Sequence, residues 1–252
     1  VKDGKLIIDA SVASEAVPNT GKDYFTSNWA KAGNATNGQT TIQSGVTIGT
    51  SPNVYYVSGS LASIGTATNS SVTATNATVY GDIIGGDGHK GASDNIVEIT
   101  DNTTVSRSVI GGRVQDNVGE NDAALDNRVF MSASTAYEVR GGYTLYGNAI
   151  NNKVFLEAKS NVLGFCGGGY TSSGKADSNE VHLNNSSAPM IFGGGDISLQ
   201  KGDVLNNIVT LENGSNAISV YGGFTLQGNA DGNKVKGSDS SISFSVYGGW
   251  GT

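Results

Sequence analysis

Cysteine is almost missing from this chain of 252 residues, which holds only Cys166. A lone cysteine cannot close a disulfide within the chain, so a disulfide-stapled scaffold and a cysteine-rich zinc site are both excluded. The two histidines, His89 and His182, lie in different parts of the sequence with no matching cysteines. We therefore predict no metal site and no cofactor.

Positive charge and long apolar runs are also scarce. The net charge is −7, with 15 Lys and Arg against 22 Asp and Glu. Nucleic acids and anionic membranes attract basic surfaces, so neither is a predicted partner. No apolar run approaches the ~18–20 residues of a membrane span, so this chain is predicted not to insert into a membrane. It begins at Val1 without Met, as it would if an upstream targeting segment had been removed.

What the sequence does contain is an imperfect repeat, rich in Gly and Asn. In each copy an Asn stands two residues before an apolar residue, with Ser70 in the Asn position of an earlier copy. The members are Asn95, Asn127, Asn152, Asn179, Asn207 and Asn233. The typical spacing is about 26 residues, and one longer interval predicts an insertion within Val114–Leu125.

Within each copy the apolar residues alternate as in a β-strand: Val209 and Leu211 flank Thr210, and Val154 and Leu156 flank Phe155. No segment shows a helical stripe, and frequent Gly disfavours helices. We predict an all-β fold, a parallel β-helix of about 26 residues per rung. The crossover rule favours a right-handed coil.

Equivalent residues of successive rungs should stack at about 4.8 Å. One predicted inward ladder is Val97, Val129, Val154, Val181, Val209 and Val235, accompanied by Ile99, Met131, Leu156, Leu183 and Leu211. A second is Val109, Val139, Phe165, Ile191, Val220 and Val246, which places Cys166 on the outside in line with Arg140.

The predicted domain organisation is an N-terminal cap over residues 1–45 followed by rungs over residues 46–252. The first stretch lacks the repeat but contains a candidate strand, Leu6–Val12, and the aromatic residues Tyr24, Phe25 and Trp29. A solenoid must cover its terminal rung, so these rings are predicted to plug it. The alternative is an aromatic binding site.

The recurring Asn and Gly-Gly positions are predicted to be structural. Stacked amides can bond to each other and to the turn backbone, and paired glycines suit a corner with positive φ or close backbone approach. Carboxylates are scattered, and only Asp94 and Asp126 recur on consecutive rungs. We interpret that pair as turn residues, and a carbohydrate-processing enzyme would need carboxylates gathered on neighbouring rungs.

Aromatic residues flank the glycines and are the candidate binding residues. Tyr143, Tyr170, Phe224 and Trp250 follow them, and Phe192, Tyr221 and Tyr247 precede them. Exposed rings in a row would form a platform for a sugar, a protein or a second copy. The alternative is stacking between rungs that shields the Gly-rich corner.

The repeats N-x-V-x-L, V-Y-G-G-[YF]-T and G-N-A-x-x-N resemble those of passenger domains in bacterial type V autotransporters. The likeness covers roughly Val46–Thr252 and is clearest in Asn127–Asn152 and Asn207–Gly249. It implies an adhesin on the surface of a Gram-negative bacterium, anchored through an outer-membrane barrel outside this chain. The chain stops within a repeat, just after GGWG, which suggests a fragment.

The leading functional hypothesis is therefore a non-catalytic adhesin fragment that binds a host-cell receptor, a glycan or another bacterium. The alternatives are a carbohydrate-active β-helix enzyme and a purely structural spacer. A cleft lined by three or more carboxylates on adjacent rungs would favour the enzyme, whereas a smooth rod with an aromatic or polar face and no cleft would favour the adhesin.

Overall fold

The computed structural model describes residues 4–11, 23–50, 54–115, 122–195 and 202–251. Its strands are, in chain order, β1 (Lys5–Ile8), β2 (Asp23–Ala30), β3 (Ala35–Thr36), β4 (Gln39–Ile42), β5 (Thr47–Ile48), β6 (Tyr55–Ala62), β7 (Thr66–Thr68), β8 (Ser71–Thr75), β9 (Thr78–Val79), β10 (Gly81–Gly88), β11 (Gly91–Ser93), β12 (Ile96–Thr100), β13 (Thr104–Val114) and β14 (Ala123–Leu125). They continue with β15 (Arg128–Ser132), β16 (Thr135–Tyr143), β17 (Asn148–Ile150), β18 (Lys153–Glu157), β19 (Asn161–Val162), β20 (Phe165–Tyr170), β21 (Ala176–Asp177), β22 (Glu180–Asn184), β23 (Ser187–Gly195), β24 (Val204–Leu205), β25 (Ile208–Glu212), β26 (Asn216–Phe224), β27 (Lys234–Gly237) and β28 (Ser241–Trp250). These described ranges contain no helix.

The strands form three parallel sheets, of seven, nine and twelve strands, that run along the coil. The nine-strand sheet has the order β1-β4-β8-β12-β15-β18-β22-β25-β27, and the seven-strand sheet runs from β3 to β24. The twelve-strand sheet follows β2-β6-β10-β13-β16-β19-β23-β26-β28, with β5, β9 and β20 beside that path. The prediction of a parallel β-solenoid is confirmed, with about seven turns of roughly 27 residues each.

The first predicted core ladder is confirmed. Val97 pairs in register with Val129, and the same column continues through Val209 to Val235. Its members are buried as far as Val209, and Val235 in the last described turn is partly buried. An uninterrupted apolar-x-apolar alternation in this sheet makes its inward face readable from the sequence.

The second predicted ladder is wrong at one turn. Cys166, and not Phe165, lies in the inward column between Val139 and Ile191, and its thiol is buried in the core. Phe165 lies on the outer face. The cause is the run Gly167–Gly169: its last glycine pairs with Gly142, so the first does not belong to the recurring pair. A shift of one residue moves each side chain to the opposite face.

The described part of residues 1–45, predicted as the N-terminal cap, is continuous with the solenoid. Strands β1 and β2 pair in register with β4 and β6, so this stretch adds strands to the same sheets. Phe25 packs against the core as predicted for a plug, whereas Trp29 is 55% exposed. The predicted strand Leu6–Val12 is realised only over its first three residues, within β1; residues 9–11 are not strand, and Val12 lies outside the described residues.

The predicted insertion within Val114–Leu125 falls between two strands. Strand β13 ends at Val114 and β14 begins at Ala123, and residues 116–121 lie outside the described ranges. The turns on either side of it stay in register, since Val97 pairs with Val129.

The corner between the seven-strand and nine-strand sheets holds the asparagine ladder. Its members point inward and are buried: Asn95, Asn127, Asn152, Asn179 and Asn207. Each is preceded by a residue of positive φ, including Asp94 at 56° and Asp126 at 55°. Both aspartates are therefore turn residues, as predicted.

Candidate functional site

A polar cleft of about 620 Å³ opens on the outer face of the twelve-strand sheet, and we call it the outer cleft. Five consecutive strands of that sheet contribute to it: β2, β6, β10, β13 and β16. The lining residues are Tyr24, Tyr56, Asp82, His89, Arg107, Ser108, Ile110, Arg113, Val114, Gln115, Glu138, Arg140 and Tyr143. Its volume is typical of small-molecule sites, which run from about 300 to 1,000 Å³.

The floor of the outer cleft is apolar. Ile84 and Ile110 pair in register on the outer face, yet both are buried because Tyr56 covers them and Tyr143 packs beside them. Outward-facing isoleucines without this cover would be exposed to water. The cleft is therefore a depression with a dry base and a polar rim.

Two stacked tyrosines form one wall. The rings of Tyr24 and Tyr56 lie 4.7 Å apart, and the guanidinium of Arg113 lies 5.2 Å from the Tyr56 ring centroid. Burial, reinforced by the charge of Asp87, raises the pKa of the Tyr24 phenol. The Tyr24 phenol is therefore neutral at physiological pH.

Arg113 is fixed by a buried carboxylate. Its Nε and Nη2 atoms donate to the two carboxylate oxygens of Asp87, at 3.0 and 2.6 Å. The Asp87 side chain is fully buried. Burial alone would lower the pKa of Arg113, but the charge and hydrogen bonds of Asp87 outweigh it and raise that pKa. This fork geometry holds the guanidinium plane in one orientation.

Arg140 is held by a carboxylate and by aromatic rings. Its Nη2 donates to Glu138 at 2.9 Å, and the guanidinium lies 4.6 Å from the Phe165 ring centroid and 4.9 Å from that of Tyr143. Its buried Nε has no acceptor among the described residues. Cation–π contact compensates part of the lost hydration.

Asp82, Ser108 and Glu138 occupy equivalent positions on three consecutive turns. The Ser108 backbone N–H donates to Asp82 at 3.0 Å, and its hydroxyl lies 3.4 Å from Glu138. Arg107 lies 3.9 Å from Asp82, which is too long for a hydrogen bond. The two carboxylates are two strand spacings apart, or about 9–10 Å between backbones.

The seven predicted binding aromatics stack between turns. Tyr143 stacks on Tyr170, Phe192 on Tyr221, Tyr221 on Tyr247, and Phe224 on Trp250, with centroids 4.6–5.4 Å apart. Ring faces that cover one another are not open to a sugar.

Exposure of these rings varies along the coil. Phe192 lies on the outer face but is only 1% exposed, whereas Tyr247 in the last described turn is 42% exposed. Tyr143 also lines the outer cleft. This arrangement matches the stacking alternative more closely than an open platform.

The sequence interpretation missed the outer cleft, although a signal for it was present. Asp82 and Glu138 each stand three residues before a glycine pair, Gly85–Gly86 and Gly141–Gly142. Aligning the repeats on their glycines would have placed both carboxylates in one column. Alignment on the asparagines does not, because the interval between Asn and Gly-Gly varies in length.

Other groups offer less chemistry. Burial raises the pKa of the Cys166 thiol, which removes the thiolate needed for nucleophilic attack. The described residues contain no group of three or more His, Cys, Asp or Glu that could hold a metal ion.

No helix in the described ranges is long and apolar enough to cross a membrane. Comparison of the chain with models of protein families, with curated proteins and with solved structures finds no match.

Proposed function

We propose that this chain is a non-catalytic binding segment of a cell-surface adhesin, displayed at the outer membrane of a Gram-negative bacterium. It would attach that cell to a host receptor, to a glycan or to another bacterium. The observation that carries this proposal is the outer cleft, a shaped and polar recess on an otherwise repetitive rod. The resemblance of the repeats to autotransporter passengers supplies the biological setting.

The cleft suits recognition because its polar groups are already oriented. Asp87 fixes Arg113, and Glu138 together with aromatic rings fixes Arg140. A ligand that meets oriented groups loses less binding free energy to side-chain ordering. A solenoid whose turns are joined by parallel sheets also provides a stiff support.

One observation favours a second candidate, a carbohydrate-active enzyme. Asp82 and Glu138 face the same cleft at a backbone separation close to the roughly 6.5–9.5 Å between carboxyl groups in inverting glycosidases. Asp82 already accepts the Ser108 N–H, however, and Glu138 accepts from Arg140. These two are the carboxylates among the described lining residues, fewer than the three or more expected of the enzyme. We therefore place binding ahead of hydrolysis.

Protein-coated beads tested on cultured epithelial cells and on a glycan array address this proposal. We expect attachment to cells or glycans without new reducing ends. Reducing ends that disappear in Asp82→Asn and Glu138→Gln would contradict the non-catalytic assignment. Beads that bind neither cells nor glycans would leave the spacer as the better description.

A further inference from the structure

Arginine is distributed unevenly in this protein. The chain has four arginines, and three of them, Arg107, Arg113 and Arg140, line the outer cleft. The fourth, Arg128, is exposed on the nine-strand sheet. In a chain of net charge −7, this concentration of guanidinium groups singles out one place on the surface. Guanidinium groups recognise planar anions through paired N–H donors.

The three guanidinium groups differ in what remains free for a ligand. Arg107 is 49% exposed while its neighbour Asp82 is 6% exposed, so the cation lies on the solvent side of that pair. Arg113 likewise lies outside the fully buried Asp87. At 3.9 Å from Asp82, the Nε of Arg107 is beyond hydrogen-bond range of that carboxylate.

The charge balance of the cleft selects the kind of anion. Three arginines are matched by three carboxylates, Asp82, Asp87 and Glu138, so the local sum is near zero. A singly charged carboxylate meets less repulsion there than a phosphate dianion would. The remaining lining groups, such as Ser108 and Gln115, can bond to hydroxyls.

We propose that the outer cleft binds the carboxylate of an acidic saccharide, with Arg107 as the direct contact. Arg113 and Arg140 act as fixed cations beside it. This inference rests on the proposed function, in that it takes the cleft as the binding site. It goes beyond that function by naming the chemical class of the ligand and the residue that selects it.

Calorimetric titration with two matched pairs of probes tests the inference: trigalacturonate against its methyl ester, and 3′-sialyllactose against lactose. We expect at least one acidic probe to bind about tenfold or more tightly than its neutral partner, the factor typical of a hydrogen bond to a charged group. Added salt should weaken that binding, because Arg107 is exposed to solvent.

Two variants locate the effect. Arg107→Gln should weaken binding of the acidic probe about tenfold and leave the melting temperature unchanged, because its side chain is half exposed. Arg128→Gln, the matched control on another sheet, should bind as the unaltered protein does.

Three results would overturn the inference. They are equal binding of acidic and neutral partners, tighter binding of 3′-sulfolactose than of both carboxylated probes, and no binding of either acidic probe at millimolar concentration. None of these results would contradict the proposed adhesin function. The bead assay measures attachment to whole cells and can succeed with a neutral or protein ligand.

Discussion

At the scale of single residues, one amide explains why both Asn and Gly-Gly recur. Oδ1 of Asn152 accepts from the backbone N–H and the Nδ2 of Asn127, at 3.1 and 2.9 Å. Its own Nδ2 donates to Ala124 O and to Asn179 Oδ1. A Cβ on Gly142 would lie 2.5 Å from this amide, so that glycine is required by close approach and not by positive φ.

The substitution Asn152→Ala is predicted to destabilise the protein by about 2–6 kcal/mol. It leaves two donors of Asn127 without an acceptor in the buried corner, and each unpaired buried group costs about 1–3 kcal/mol. Denaturant unfolding followed by circular dichroism measures the effect.

Asn216→Ala is the control for Asn152→Ala, because Asn216 is exposed and its Nδ2 donates to the O of nearby Gly214. Its cost should stay within about 0.5 kcal/mol. Equal costs for the two variants would show that the amide ladder does not stabilise the coil.

At the scale of elements, a second corner contains a ladder of serines that the sequence did not reveal. Between the nine-strand and twelve-strand sheets, the N–H of Ser134 donates to the hydroxyl of Ser160 at 3.4 Å, and that of Ser186 donates to Ser215 at 3.3 Å. Ser and Thr are common throughout this chain, so their recurrence at one corner does not stand out. The rarer Asn-x-Val pattern does, and it was identified correctly.

Strand geometry also limits what alternation can predict. The first strand of each repeat alternates without interruption, and its inward face was predicted correctly. In the twelve-strand sheet, the register shifts between Val105 and Ser108 and again between Ala217 and Ser219. The extra residue lies in β13 at the first shift and in β28 at the second, and it inverts the alternation that follows it. Ile218 stands two residues before the buried Val220 yet is 51% exposed, so simple alternation also fails in β26.

The ion pair between Asp87 on β10 and Arg113 on β13 is predicted to be energetically coupled, so that the costs of removing its two members do not add. Asp87→Leu alone should cost about 3–5 kcal/mol, because it leaves the Arg113 guanidinium without its buried partner. The double variant Asp87→Leu/Arg113→Met should recover most of that loss. Leu61 already occupies this column on the preceding turn, so an apolar side chain fits there.

A double-mutant cycle from denaturant unfolding measures this coupling. The single variant Arg113→Met completes it. Costs that simply add would contradict a coupled pair.

At the scale of the whole molecule, the sequence predicts the solenoid far better than the site. The repeat appears directly as spaced Asn, Val and Leu, and local alternation gives the strands. The outer cleft instead depends on which side chains of five different strands meet in one column. Arg107, for example, lies within the bulge between Val105 and Ser108, so its approach to Asp82 follows from the register and not from its spacing to the glycines.

The stacked aromatics and the outer cleft lie mainly on different turns, which separates stability from binding. Phe192 is buried beneath Tyr221 and Phe224 on β26, whereas the cleft is built from β2 to β16. Phe192→Ala should therefore cost about 3–5 kcal/mol, as for other buried phenylalanines. The affinity of the Phe192→Ala variant for the acidic probe should be unchanged at temperatures below its unfolding transition.

Tyr247→Ala is the matched control in the same column of rings, since Tyr247 is 42% exposed and should cost less than Phe192. Calorimetric binding and thermal unfolding on the same samples give both readouts. A loss of glycan or cell binding in either variant, with folding intact, would restore the aromatic ladder as the binding surface. If both variants bind as the unaltered protein does, the outer cleft remains the candidate binding site. The rings then serve to hold successive turns together.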